Sequence, residues 1–260
     1  LPENMAHLKS LTIVSDDAIT TPIEVLLPSY MRKLENLHLE GIILVETLSL
    51  DKMYELAKVV IVNCEDVKVL DFSYLLKLQS VRIVKNPQLH EFKVGRGIPR
   101  VQTLDVSSNQ QLHGLALGYP MDELQTLSIT DNPNLQSTKL PATMPELQEF
   151  NLQGNNLRDL SCLRNTRLPA LAKLDLSRNQ LSSLALMPRA PSLEVLQLDG
   201  NAFKEIPRFV TDLATPVKVN MIDNFISDSA LHGFEADIAW RYPDQAVVQF
   251  TDLADEPSTR

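Results

Sequence analysis

Few residues in this chain have types and spacings suited to catalysis. Asp105, Asp175 and Asp199 recur at related places in a repeated pattern, and carboxylates are common groups in acid–base catalysis. Asp105 lies three repeats away from Asp175, and an open surface lacks the water-excluded cleft that such chemistry prefers. The chain also contains no GxGxxG or GxxxxGK[ST] loop and no HExxH, CxxC or GxSxG motif. We therefore predict that the protein is not an enzyme and needs no cofactor.

Two histidines form the other candidate site. His90 and His113 occupy equivalent places in successive repeats, where two imidazoles could hold a metal ion or titrate as a pair. The next repeat has Gln136 at this place instead of a third histidine. We interpret both histidines as solvated turn residues and predict no metal site.

One repeated frame must position all of these residues. The segments LQTLSITDNPNL (124–135), VQTLDVSSNQQL (101–112) and LAKLDLSRNQL (171–181) share apolar residues at positions 1, 4, 6 and 11 or 12, with a polar residue at position 9. A fixed period of about 23 residues indicates a solenoid. Position 1 falls at Leu8, Leu34, Leu56, Leu78, Val101, Leu124, Leu147, Leu171, Leu193 and Pro216.

Position 9 gives the frame its character. An asparagine amide both donates and accepts hydrogen bonds, so a stacked column of amides can satisfy backbone groups where the chain turns inward. We interpret the column as structural, with a thiol replacing the amide once. The first two repeats depart from the pattern with Asp16 and Ile42. The structural column is Cys64, Asn86, Asn109, Asn132, Asn155, Asn179, Asn201 and Asn224.

The frame resembles that of the leucine-rich repeats, L-x-x-L-x-L-x-x-N/C-x-L, over roughly residues 8–226. The resemblance implies an α/β solenoid: a right-handed arc with a concave parallel β-sheet of about ten strands. Prolines in the connecting segments disfavour long helices, so the convex side should contain extended segments, turns, 3₁₀ segments and short helices. Segments 21–33 and 49–58 are the candidates for longer helices.

The two ends differ from the repeats. Leu231, Phe234, Ile238 and Tyr242 have helical spacing, which predicts a C-terminal cap over about 227–250 with a last strand at 247–250. An acidic tail follows at 251–260. We expect one leucine-rich-repeat domain over 1–260 and interpret the chain as a fragment of a longer protein, because the N-terminus has no comparable cap.

The outward side chains at positions 5 and 7 are the expected ligand-binding face. Val60, Val62 and Val84 should form an exposed aliphatic patch flanked by charges, as protein contacts prefer. The alternative is that β-branched residues simply favour strands. We expect ligand contacts from Val60, Val62, Arg82, Val84, His38, Asp105, Asn151 and Asp175.

Composition limits the class of partner. The net charge of −9 and the lack of a basic footprint argue against nucleic acid, and no apolar run is long enough to span a membrane. Cys64 and Cys162 are four repeats apart, too far for a disulfide, and the chain has no N-x-S/T sequon. These features favour a reducing, cytoplasmic compartment, with an extracellular or cell-surface location as the alternative.

The resemblance implies recognition of a protein or peptide of unknown identity on the concave face. Two settings for that recognition stay open. The chain could be the ligand-binding ectodomain of a membrane receptor, possibly a receptor kinase, without its anchor. It could instead be a targeting or regulatory domain that brings an enzyme to its substrate.

Overall fold

The apolar frame forms one strand in each of the ten repeats, because positions 4 and 6 point inward while 3, 5 and 7 point outward. An eleventh strand joins the C-terminal edge, and all eleven pair in parallel and in sequence order. The expected sheet of about ten strands is therefore confirmed. This main sheet contains β1 (Ser10–Val14), β3 (Asn36–Glu40), β6 (Lys58–Val62), β8 (Ser80–Val84), β10 (Thr103–Ser107), β12 (Thr126–Ser128), β14 (Glu149–Asn151), β15 (Lys173–Asp175), β16 (Val195–Gln197), β17 (Lys218–Asn220) and β18 (Val248–Gln249).

The structure is a computed structural model, and it describes most of the repeat region. The predictions for other residues, including most of the predicted cap helix, lie outside the described part of the chain. The last predicted strand is present as β18, which pairs with β17. The described residues are 5–15, 24–27, 31–50, 52–94, 97–135, 137–211, 217–227, 229–230, 232–233 and 248–249.

The position-9 side chains are buried between successive coils. Each carbonyl oxygen from Asn86 to Asn179 accepts a hydrogen bond from the position-9 backbone N–H of the preceding coil, at 3.0–3.1 Å. Each amide NH₂ from Asn86 to Asn224 donates to the position-6 carbonyl of the preceding coil. No buried side-chain nitrogen or oxygen of the described residues lacks a hydrogen-bond partner. The column thus joins neighbouring coils at their tightest turn.

The residue just before this column has a left-handed backbone in nine successive coils. Its φ lies between +49° and +70° whether or not the residue is glycine. This conformation is unfavourable by about 1–2 kcal/mol for residues with a Cβ, so the turn is maintained by contacts between coils. The N–H at this position donates to the position-7 carbonyl of the next coil, as in Lys85 to Ser107 at 3.0 Å. The nine residues are Gly41, Asn63, Lys85, Ser108, Asp131, Gly154, Arg178, Gly200 and Asp223.

The strands change length halfway along the sheet. The main-sheet strands from β1 to β10 have five residues each, whereas the main-sheet strands from β12 to β17 have three. In β14, β15 and β17, the position-5 Asn151, Asp175 or Asn220 accepts a hydrogen bond from the position-7 N–H of its own coil. Such a local bond competes with the sheet ladder. It accompanies the early end of these three strands.

A second parallel sheet lies in the connecting segments. It contains β5 (Thr47–Ser49), β7 (Val69–Asp71), β9 (Glu91–Lys93), β11 (Gly114–Ala116) and β13 (Ser137–Lys139), in that order. Phe72 and Phe92 pack edge to face beside it, with ring centroids 5.0 Å apart. The extended conformation was expected, but the pairing of these segments into a sheet was not.

Beyond β13 the connecting segments change character. The next coil has a 3₁₀ helix, Ser161–Leu163, and a later coil has the short helix α1, Arg208–Thr211. These elements agree with the expected turns, 3₁₀ segments and short helices.

The prediction of longer helices near the N-terminus is wrong where it can be compared. Segment 49–58 contains the end of β5 and turns, and the described part of 21–33 contains β2 (Glu24–Val25), which pairs with β4 (Ile43–Leu44). In segment 49–58, Leu50, Met53 and Leu56 are buried at helix-like spacing. The inward residues of turns gave the same period as a helix face, which explains the error.

We predict that Asn132→Ala destabilises the solenoid far more than Asn134→Ala. Asn132 accepts from the backbone N–H of Asn109 and donates to the Val106 and Thr130 carbonyls, so alanine leaves buried backbone groups unpaired. We expect a loss of about 2–4 kcal/mol in the free energy of unfolding. The exposed Asn134 bonds the Gln110 carbonyl, and its loss should lower stability much less. Urea unfolding followed by circular dichroism measures both, and equal losses would contradict the prediction.

Candidate functional site

The strand register places the expected ligand-binding residues in two rows on the solvent-exposed face of the main sheet. Val60 lies between His38 and Arg82 in the position-5 row. Val62 lies between Glu40 and Val84 in the position-7 row. Neighbouring strands are about 4.8 Å apart, so these side chains form one continuous surface. We call Val60, Val62 and Val84 the valine patch.

The valine patch is less exposed than its sequence suggests. Val84 is buried, with only 7% of its surface exposed, so its expected exposure is wrong. It is flanked in its row by Val62 and Ser107. Val60 and Val62 are half-buried. The accessible apolar surface of the patch therefore belongs mainly to these two side chains.

One exposed valine extends the apolar surface towards the N-terminus. Val14 occupies position 7 in β1 and is 51% exposed. Glu40 separates it from Val62 in the row. Val14 occupies position 7, as Val62 and Val84 do, so the repeated frame alone was enough to identify it as an outward-facing residue. Its exposure fits its position on the first strand, because β1 has a strand neighbour on one side only among the strands that the structure describes.

Charged side chains surround the valine patch. The His38 ring nitrogen Nε2 lies 3.0 Å from a carboxylate oxygen of Glu40. Arg82 reaches Asp105 on the next strand with an Nε–Oδ2 distance of 3.6 Å, and its side chain is 60% exposed. Exposed pairs of this kind contribute little to stability, so both are available for rearrangement when a partner approaches. Lys58 and Lys85 add two exposed cations.

The remaining predicted ligand contacts are further along the sheet. Asn151 and Asp175 lie on β14 and β15, separated from β10 by β12. Both already bind their own backbone: Asn151 accepts from the Gln153 N–H and Asp175 from the Ser177 N–H, each at 2.9 Å. The structure therefore brings together the first six predicted contact residues and places these two apart.

The acidic end of the face shows electrostatic stress. Burial raises the pKa of the Asp199 carboxyl, and the negative charges of Asp175 and Asp223 raise it further, while Arg178 opposes them.

Among the described residues, no group of three or more His, Cys, Asp or Glu side chains is arranged to hold a metal ion. His90 and His113 are exposed and adjacent, with the His113 N–H 3.4 Å from the His90 carbonyl oxygen.

The two cysteines are free. The Cys64 thiol is fully buried and donates weakly to the carbonyls of Val62 and Leu39, at 3.4 and 3.6 Å. Burial raises the pKa of the Cys64 thiol to about 11, so it is uncharged and unreactive at neutral pH. Burial also raises the pKa of the half-buried Cys162 thiol.

Two solved structures are similar to this chain in a structure comparison. An internalin from Listeria monocytogenes is 14% identical, with 95% of this chain and 88% of that chain covered and a TM-score of 0.34. A leucine-rich-repeat protein from Leptospira interrogans is 17% identical, with 88% and 81% covered and a TM-score of 0.28. The sequence matches no family model and no curated protein.

Because those TM-scores are low, the class is defined by the geometry of this chain. It is a solenoid with one strand of the main parallel sheet in each repeat, and a buried asparagine column joins neighbouring coils. The fold of the chain is therefore that of a leucine-rich-repeat solenoid. No helix in the part of the chain that the structure describes is long and apolar enough to cross a membrane.

We predict that Cys64 lowers stability at alkaline pH. The folded pKa, about 11, lies above the ordinary value of 9.0, so the unfolded chain loses this proton first. The contribution of the neutral thiol is complete below pH 9 and is lost as the pH rises towards 11. Urea unfolding between pH 8 and pH 11 should show a steeper loss for the native chain than for Cys64→Ala. Parallel curves over this interval would contradict the assigned pKa.

Proposed function

We propose that this chain is a recognition module that binds a protein or peptide on the solvent-exposed face of its main sheet, which we predict to be the concave face of the solenoid, and that the site is centred on the valine patch. The observation that supports this proposal is the pair of half-buried valines, Val60 and Val62, surrounded by ionic side chains in register on neighbouring strands. An apolar centre with a polar rim is the usual composition of a protein contact.

The geometry suits binding without large rearrangement. Strands β3, β6 and β8 each pair with a neighbour on both sides, and the asparagine column connects the coils behind β6 and β8. Side chains on such a surface have fixed spacing, so a partner contacts a preformed grid. Affinity in contacts of this kind comes from a few buried anchors. We assign the anchor role to Val60 and Val62 and the orienting role to Arg82.

The other predicted contact residues have secondary roles in this proposal. His38 and Asp105 lie at the edges of the valine patch, and each already has an ionic partner on the face. Asn151 and Asp175 contact only a partner long enough to extend towards the C-terminal half. A receptor ectodomain and an enzyme-targeting domain would both use this face, since each acts by recognition. Catalysis has no place in the proposed function.

The proposal predicts that the double variant Val60→Glu/Arg82→Glu loses its partner. The first change places a charge in the apolar centre, and the second reverses the orienting cation. We expect at least about a tenfold loss of capture, equivalent to roughly 1.4 kcal/mol. Immobilised protein is incubated with an extract of the source cells, and captured proteins are quantified by mass spectrometry.

The matched control is Ser128→Glu/Lys173→Glu. It makes the same change in net charge on the same face, but on β12 and β15. A protein counts as a partner if the native chain and the control capture it equally and the valine-patch variant does not capture it. Thermal melts of all three establish that each is folded. The proposal is refuted if the valine-patch variant retains every protein that the native chain captures.

A further inference from the structure

The second sheet has a binding cavity of its own, separate from the valine patch. A cavity of about 590 Å³ lies over strands β9, β11 and β13. Its lining includes Gly114 and Ala116 from the middle strand, Lys93 and Lys139 from the two flanking strands, and Tyr119 from the following turn. The proposed recognition face does not use any of these residues.

The strand register creates a slot in the floor of this cavity. Lys93, Ala116 and Lys139 are paired side by side on three neighbouring strands. Strand spacing puts the two lysine backbones about 10 Å apart, with only a methyl group between them. Gly114, two residues earlier on β11, leaves the adjoining place without a side chain. We call the space above Ala116 and Gly114 the lysine slot.

Two glycines position the walls of the cavity. A Cβ at Gly118 would lie 3.2 Å from Cε of Lys139, so the lysine stem packs directly on this glycine. A Cβ at Gly97 would lie 2.7 Å from Cβ of Tyr119, and Gly97 has a φ of +97°. Larger residues at either place would displace a wall. Tyr119 is 46% exposed despite this packing, which leaves part of the side chain open to a ligand.

The charge of the lysine slot is positive on a chain whose net charge is −9. Lys93 is paired with Glu91, with an Nζ–Oε2 distance of 3.1 Å. Lys139 makes no ion pair with any of the residues that the structure describes. His90 lies in the same lining. An anion in the slot would therefore meet one unneutralised ammonium group and a second that can leave Glu91.

We propose that the lysine slot binds a small organic anion in which a carboxylate is attached to a ring with an apolar face. The ring lies on Ala116 and Gly114 against Tyr119, and its carboxylate contacts the ammonium group of Lys139, a charge-assisted interaction. Rings with apolar faces occur in aromatic acids and in sugar acids. Both share the chemistry that the slot requires, and the experiment below separates them.

The test is a titration of the chain with sodium benzoate and, separately, sodium glucuronate, followed by amide NMR shifts of Gly114 and Ala116. Acetate supplies the charge without the ring, and benzyl alcohol supplies the ring without the charge. We expect saturable shifts with benzoate or glucuronate and weaker binding of both comparison compounds. Tighter binding of glucuronate assigns a sugar acid, and tighter binding of benzoate assigns an aromatic acid.

Two variants test the slot itself. Lys139→Gln removes the free cation, and Ala116→Leu fills the space between the lysines without changing charge. Each should weaken binding by about tenfold or more, whereas Lys173→Gln, an exposed lysine on the main sheet, should leave it unchanged. Amide spectra away from the second sheet show whether each variant is folded. The proposal is overturned if neither ring acid saturates the shifts, or if both variants bind as the native chain does.

Discussion

The structure depends on one turn that every coil must make after its main-sheet strand. There the backbone enters the left-handed region and directs polar groups into the interior, where water cannot satisfy them. The position-9 asparagine resolves this, because one amide, such as that of Asn86, accepts from the coil before it and donates to the position-6 carbonyl of that same coil. A backbone conformation that is locally unfavourable is thus maintained by bonds between coils, which is why no coil is stable alone.

The hydrogen bonds that the position-9 amides make at this turn differ between the two halves of the main sheet. In the N-terminal half, Asn109 and Asn132 each donate a second bond to the position-7 carbonyl of their own coil. In the C-terminal half, Asn155, Asn179 and Asn201 each donate to their own position-6 carbonyl. Two of those coils also have Asn151 or Asp175 binding the position-7 N–H. Asn179 and Asn201 also donate to their own position-7 carbonyl. The bond to the position-6 carbonyl therefore accompanies the short strands β14, β15 and β16, whereas β12 is equally short with the Asn132 bond directed to position 7.

The frame of leucines predicted the main sheet and its register, because burial at positions 4 and 6 repeats without interruption. It did not reveal the second sheet, although Leu48, Leu70, Phe92 and Leu115 recur with the same period and are all buried. Each of those strands contains one inward residue, and a single apolar position has no alternation to detect. The reduced exposure of Val84 was also hidden, since exposure depends on the side chains of neighbouring strands. The left-handed residues were invisible because only three of the nine are glycine.

The place of the proposed recognition surface follows from this division of the sheet. Where a position-5 side chain caps its own backbone, as Asp175 does, its identity is constrained by the turn and little is left to vary for a partner. In β6 and β8 the backbone pairing extends over all five residues, so Val60 and Arg82 are not needed to stabilise the turn. Side chains without a structural duty are the ones that recognition can shape. This difference supports the proposal that the ligand-binding residues lie in the N-terminal half of the main sheet.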